Sequence, residues 1–118
     1  MEVQTFTAKS FFDGINSIND SKITMVMFSK PNCKYCIKCY EDYSKLAEKL
    51  DKNIYTIAKI NCEEYSDIGS NLKNSPKLNK PVTYPTFIMY KNNMFYKQYY
   101  GLRTTQEFKL ALYNISTE

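Results

Sequence analysis

Two cysteines separated by two residues, Cys33 and Cys36, are the part of this chain best suited to chemistry. They follow a short apolar run that ends near Ser29 and lie at the start of a segment with helical periodicity. The first turn of a helix has unpaired backbone N–H groups and the positive end of the helix dipole, and both favour a thiolate over a thiol. A second cysteine one turn along faces the same side and can close a disulfide. The spacing predicts a redox pair, with Cys33 as the exposed nucleophile and Cys36 as the resolving thiol.

Three lysines, Lys30, Lys34 and Lys38, lie close to this pair in the sequence. A positive charge near a cysteine favours its thiolate. The lysines therefore add to the prediction that Cys33 is a reactive nucleophile.

The other two cysteines, Cys39 and Cys62, have two possible roles. Cys39 extends the spacing to three cysteines on one helix, so it could be a third redox thiol or, with Cys62, an iron–sulfur or zinc ligand. A free cysteine also serves as a small apolar core residue, and thiolates along one helix surround a metal poorly. We expect structural roles for both cysteines and no metal. The chain has no histidine, which excludes Cys/His zinc sites and a Cys–His nucleophile pair.

Length and composition are those of an ordinary globular domain. We expect one domain over residues 1–118, with 43% apolar and 24% charged residues. The net charge of +4 is spread along the chain, which favours solubility over nucleic-acid binding. No apolar run approaches the roughly 20 residues of a membrane span, and the first residues lack the layout of a secretory signal, so a cytoplasmic compartment is expected. Abundant Lys, Asn, Tyr and Ile are typical of an AT-rich genome, such as that of many viruses.

Strand and helix patterns alternate along the chain. The predicted strands cover 3–6, 23–29, 54–60, 86–90 and 94–100, and the predicted helices cover 8–18, 34–50, 63–72 and 104 to 112 or 115. Strand–helix alternation gives parallel pairs, and a final hairpin turning at Asn92-Asn93 adds antiparallel ones. The expected fold is α/β, a mixed five-stranded sheet with helices on both faces in the order β-α-β-α-β-α-β-β-α.

A cysteine pair at the strand-to-helix turn of such a unit is typical of a thioredoxin-like redox site. The chain from about Ile23 to Ile115 resembles the thioredoxin superfamily. Four stretches carry the resemblance. A glutaredoxin active site is similar to Phe28-Ser-Lys-Pro-Asn-Cys-Lys-Tyr-Cys36. The other three resemble parts of thioredoxin and protein disulfide isomerase domains: the central strand is matched by Ile57-Ala-Lys-Ile-Asn-Cys-Glu63, the cis-proline loop by Tyr84-Pro-Thr-Phe-Ile88, and the segment before the last helix by Gly101-Leu-Arg-Thr104.

This resemblance implies a thiol–disulfide oxidoreductase that needs no metal or organic cofactor. Its partners would be protein disulfides or dithiols and a recycling reductase or oxidase, and the protein would be a monomer. The resemblance also implies that Pro85 is cis and lies against the nucleophilic sulfur, with the backbone before it pairing with substrate. Tyr35 and Tyr84 would flank the active cysteine. Arg103 would approach Cys36 and favour its thiolate, or would be a solvated residue before a helix.

Three departures from the family pattern affect the expected chemistry. Met27 stands where thioredoxins have a buried acid, so Cys36 lacks its usual base and would depend on Arg103 and water. Asn32 stands where the family has an aromatic residue before the first cysteine. The pair between the two cysteines is Lys34-Tyr35, instead of the family's Gly-Pro or Gly-His. Because Lys34 favours the reduced thiolate, we expect a more oxidising disulfide than that of ordinary thioredoxin.

Two alternatives remain open at this point. The first is a glutathione-dependent glutaredoxin, with or without an iron–sulfur cluster. The stretch around Cys33 favours it, but the paired glycines with which glutaredoxins hold glutathione are missing before the last helix. The second is a thioredoxin-fold binding module without redox activity, which Met27 and Asn32 make worth considering.

Overall fold

The computed structural model describes residues 2–16 and 23–118. In chain order, its elements are β1 (Gln4–Phe6), α1 (Ala8–Asn16), β2 (Ile23–Ser29), α2 (Lys34–Lys49), β3 (Tyr55–Asn61), α3 (Ser66–Asn74), β4 (Thr86–Lys91), β5 (Met94–Tyr99) and α4 (Thr105–Ser116). This order is the predicted one. The predicted end of the first helix and the turn at 19–21 lie outside the described residues.

The five strands form one mixed sheet in the order β1-β3-β2-β4-β5. β1 and β2 run parallel to β3, whereas β4 is antiparallel to its neighbours β2 and β5. The predicted sheet is therefore confirmed. The carboxyl ends of the parallel strands meet at one edge of the sheet, the place where α/β proteins bind their ligands. The chain leaves β2 at this edge and reaches Cys33 four residues later.

Two separate apolar layers cover the two faces of the sheet. On one face α2 and α4 pack against Met25, Ile57 and Phe87. On the other face α1 and α3 pack against Val26 and Ala58. Alternate residues of the same strands thus enter opposite layers, because successive strand side chains point to opposite faces. Helices on both faces were predicted, and β2 is accordingly buried along most of its length.

Helix α2 is anchored to the sheet by one buried side chain. Tyr43 is fully buried, and its hydroxyl group lies 2.7 Å from the Ala58 carbonyl oxygen and 3.0 Å from that of Met25. A buried hydroxyl must be hydrogen-bonded to offset the loss of water. These contacts therefore connect the helix that carries the cysteine pair to both central strands.

The third helix begins later than predicted. Its predicted start was Glu63, but the helix begins at Ser66. The side chain of Asn61 accepts hydrogen bonds from the backbone N–H groups of Glu63 and Glu64, at 2.9 and 3.0 Å. An asparagine that bonds in this way holds the backbone in a turn. The turn closes where the Tyr65 N–H bonds to the Asn61 carbonyl at 3.0 Å. Tyr65 then has a non-helical backbone (φ −109°, ψ 74°), which separates this turn from α3, so the helix begins three residues later than predicted.

The predicted hairpin turn is confirmed. Asn92 and Asn93 have φ values of 55° and 64°, as a tight hairpin requires. Thr104 is the N-cap of α4, since its hydroxyl accepts from the Glu107 N–H at 3.2 Å. None of the helices in residues 2–16 and 23–118 combines the length with the apolar character that crossing a bilayer requires.

Candidate active site

Cys33 and Cys36 form a disulfide at the start of α2, with their Cα atoms 5.2 Å apart. Cys33 is the N-cap residue, in extended conformation, and its Sγ accepts a hydrogen bond from the Cys36 N–H at 3.2 Å. Cys33 is partly exposed and Cys36 is only 5% exposed. A partly exposed sulfur at the positive end of a helix, paired with a buried one, is the arrangement that an attacking and a resolving thiol require.

The turn before Cys33 explains one departure from the family pattern. Asn32 has a φ of 58°, in the left-handed region. Asparagine enters this region more easily than aromatic or branched residues. The asparagine thus suits the backbone that brings Cys33 to the helix terminus after Pro31.

The segment around Tyr84 and Pro85 completes the site. The peptide bond between them is cis, as predicted, and Pro85 is buried. The Tyr84 carbonyl oxygen lies 3.6 Å from the Cys33 Sγ. The amino group of Lys30 lies over the Tyr84 ring, 4.8 Å from its centroid. Tyr35, in contrast, is 57% exposed on α2. The structure also has a cis bond between Lys80 and Pro81, which we did not predict.

The two free cysteines are buried. Burial raises the pKa of Cys62 to about 11 and also raises the pKa of the neighbouring Tyr84 to about 12. Burial likewise raises the pKa of Cys39, although the charge of Arg103 opposes the rise. Cys39 donates to the Cys36 carbonyl at 3.5 Å. These surroundings favour protonated thiols. Within the described residues, no group of three or more Cys, Asp or Glu side chains is placed to hold a metal ion.

Arg103 was considered either for a position near Cys36 or as a solvated residue before the last helix. The residue is exposed, just before α4. Its guanidinium group nevertheless lies 5.9 Å from the centroid of the buried Phe87 ring, and its charge acts on Cys39. Arg103 therefore places positive charge close to the helix that carries the disulfide.

A cavity of about 270 Å³ opens beside Cys36 and contains a residue that sequence reasoning missed. Met27, Ile37, Tyr40 and Lys59 are among its lining residues. Met27 and Lys59 are partners in the parallel pairing of β2 with β3, so the lysine stands next to the position where the family's acid is missing. The available signal was that Lys59 is the single charged residue of this strand.

A second cavity, of about 190 Å³, lies beside β4 and β5, whereas the cavity at Cys36 lies beside β2 and β3, on the other half of the sheet. Pro85, Tyr100 and Arg103 are among its lining residues. One cavity thus adjoins Cys36 and the other adjoins the cis-proline, whose neighbour Tyr84 contacts the Cys33 sulfur.

Known proteins resemble the chain in both sequence and fold. A candidate protein disulfide-isomerase of Schizosaccharomyces pombe is 29% identical over 92 residues, which are 77% of this chain and 17% of the yeast protein. Human ERp44 superposes with a TM-score of 0.78 at 18% identity, covering 98% of this chain and 30% of that one. Thioredoxin f from spinach chloroplasts superposes with a TM-score of 0.75 at 19% identity, covering 99% and 95% of the two chains.

The chain spans less than a fifth of the length of its yeast relative, which is therefore a much longer protein. The structural neighbours, at these low identities, show the fold. The sequence model of the thioredoxin family matches residues 2–114, almost the whole chain. Together with the disulfide at the start of α2 and the cis-proline beside it, this match establishes that the chain belongs to the thioredoxin family.

Proposed function

We propose that the protein is a thiol–disulfide oxidoreductase that acts on protein disulfides through Cys33 and Cys36. The observation that carries the proposal is the position of the Cys33 sulfur, which caps α2 and accepts the Cys36 N–H. A backbone donor and the positive helix terminus both stabilise negative charge on this sulfur once the disulfide is reduced.

The reaction begins from the reduced dithiol. The Cys33 thiolate attacks one sulfur of a substrate disulfide, and the other substrate sulfur leaves as a thiolate. Cys36 then loses its proton and attacks the Cys33 sulfur of the mixed disulfide. This step releases the second substrate thiolate and leaves the Cys33–Cys36 disulfide. Two electrons have passed from the protein to the substrate, and the reverse sequence donates a disulfide. A recycling partner must return the electrons or remove them.

The residues around the pair have distinct supporting roles. Lys30 and Lys34 stabilise the thiolate of Cys33 by their charge. The Tyr84 carbonyl oxygen lies against the Cys33 sulfur and can receive a substrate N–H beside the attacked bond. Pro85 closes this side of the site and lines the adjoining cavity.

The proposal is tested with a variant that cannot resolve the mixed disulfide. Cys36→Ser should accumulate covalent complexes with protein substrates, and the complexes should dissociate on adding dithiothreitol. Cys33→Ser is the matched control and should capture nothing. Wild type should reduce insulin with a dithiol as electron source. Failure of wild type to reduce insulin, together with no captured protein, would refute the proposal. A strong preference for a small glutathione mixed disulfide over insulin would instead identify a glutaredoxin.

A further inference from the structure

The positive charge around the disulfide is not neutralised within the protein. Lys30, Lys34 and Lys38 are exposed, and in the described part of the chain no carboxylate lies within ion-pair distance of any of them. Lys34 and Lys38 lie in the first two turns of α2, where the helix dipole is already positive and cations are unfavourable. Glu64 lines a neighbouring cavity together with Lys30, but the two side chains do not form an ion pair. The start of α2 therefore carries charge that the fold itself does not use.

Exposed apolar side chains alternate with these lysines. Tyr35 is 57% exposed and Ile37 is 68% exposed. Successive helix residues are about 100° apart, so Tyr35 and Ile37 lie on the two sides of the ridge formed by Lys34 and Lys38. Large apolar groups on the surface around a reactive sulfur are typical of a surface that contacts another protein.

The two cavities beside the disulfide repeat this combination of apolar and positive groups. The cavity at Cys36 brings Ile37 together with Lys59. The cavity at Pro85 brings the exposed Tyr100 together with Arg103. A chain that runs from the cavity at Cys36 to the cavity at Pro85 thus meets an apolar side chain and a cation in each of them.

We propose that the preferred substrates are protein segments whose disulfide cysteine is flanked on both sides by acidic and apolar residues. This inference rests on the proposed function and specifies its substrate class. The acidic groups are attracted to these cations, which raises the rate of productive encounter. The apolar groups lose contact with water against the exposed side chains and contribute to binding.

The test compares three internally quenched peptides of equal length, each with one disulfide. Leucine stands at the same positions in all three, and the remaining flanking residues are aspartate, asparagine or lysine. Reduced protein is mixed with each peptide in a single turnover, so the peptide disulfide becomes two thiols and the Cys33–Cys36 dithiol becomes a disulfide. Fluorescence gives the second-order rate constant, and no recycling enzyme is needed.

We expect the acidic peptide to react about tenfold faster than the neutral one at low ionic strength, with the basic peptide slowest. At 0.5 M salt the acidic-to-neutral ratio should approach one, because the charges are screened. Replacing Leu by Ser in the acidic peptide should slow its reaction. The ratio is the informative quantity, since a change in the reactivity of Cys33 affects all the peptides equally.

The double variant Lys34→Gln/Lys38→Gln should lower the ratio at low salt by at least threefold. The matched control Lys49→Gln/Lys52→Gln removes the same charge at the other end of α2 and should keep the wild-type ratio. Equal rates for the acidic and neutral peptides, or a ratio that survives the first double variant, would overturn the inference while leaving the proposed function intact. No reaction with any peptide would overturn the proposed function and the inference with it.

Discussion

The amino group of Lys59 lies 4.6 Å from the ring centroid of Tyr40, in the cavity that also contains Cys36. This contact holds a cation in the pocket of the resolving thiol, next to Met27. The positive charge of Lys59 stabilises a thiolate on Cys36, at the place where Met27 replaces the family's buried carboxylate. The thiolate of Cys36 is the form that attacks the mixed disulfide, so the cation favours the resolving step.

Removing this cation should make Cys36 less reactive. In a Cys33→Ser background, Lys59→Gln should slow alkylation of Cys36 near neutral pH by about tenfold, the factor that corresponds to about 1.4 kcal/mol. Mass spectrometry of iodoacetamide labelling across a pH series measures the effect. Lys59→Arg keeps the charge and should retain most of the reactivity. An unchanged labelling profile for Lys59→Gln would show that Lys59 does not act on this thiol.

The reduction potential of the pair should lie above about −270 mV, the value of ordinary thioredoxin. Lys34 and the helix terminus stabilise the thiolate of the reduced form, and a more stable reduced form makes the disulfide more oxidising. Lys34→Gln should lower the potential by about 10–20 mV, since an exposed charge contributes less than about 1 kcal/mol. Equilibration with glutathione buffers measures both values. A wild-type potential at or below the thioredoxin value would contradict this account.

The free cysteines should be inert in the folded protein. Burial raises the pKa of Cys39, and raises that of Cys62 to about 11, so both remain thiols at neutral pH. The oxidised protein should give almost no reaction with a thiol reagent at pH 8. Denaturant should expose two thiols, and denaturant after reduction should expose four. Fast labelling of either cysteine in the native oxidised protein would show that its side chain is accessible.

The anchor between α2 and the sheet should contribute measurably to stability. Tyr43→Phe removes the hydroxyl group that lies against the Ala58 and Met25 carbonyls. Loss of a buried hydrogen bond typically costs about 1–2 kcal/mol of the free energy of unfolding. Urea denaturation of the reduced protein measures this cost. Tyr113→Phe, at a partly exposed tyrosine, is the control and should change stability by less than about 0.5 kcal/mol.

A second link, between α2 and α4, should depend on pH. Thr105 donates to the Asp42 carboxylate from its backbone N–H at 3.0 Å and from its hydroxyl at 2.9 Å, and these bonds lower the pKa of Asp42. Their stabilisation is fully present above the unfolded pKa of about 3.9 and is lost as the pH falls through the lower folded pKa.

Asp42→Asn should therefore destabilise the protein at pH 7 and make little difference near pH 2. Urea midpoints of wild type and variant at the two pH values test this sign. A constant difference between the two proteins at both values would mean that protonation of Asp42 has no role.

The sequence predicted most where local pattern and chemistry agree. Strand β2 has its predicted bounds, and α2 differs from its predicted bounds only at its end, which lies one residue before Leu50. Both predictions were close because an apolar run and a regular helical face leave little ambiguity about the type of element. The predicted start of α3 was wrong because the non-helical backbone of Tyr65 separates the turn capped by Asn61 from the helix, and the apolar pattern does not reveal this break.

In the site, too, local features were predicted and features that depend on tertiary contacts were not. The cysteine pair and the cis bond before Pro85 were predicted from motif and resemblance. The position of Lys59 beside Cys36 depends on the register between β2 and β3, a tertiary property that no single segment contains. The contact of Arg103 with Phe87 likewise joins a loop to a strand, so the sequence left its two roles open.

The group that bonds to the Cys33 sulfur is a main-chain amide, that of Cys36. Replacing the resolving side chain leaves this amide in place, so a trapping variant keeps a fully activated nucleophile. Complexes captured by such a variant would accordingly form at the native rate, and their abundance would report how fast each client disulfide reacts with Cys33.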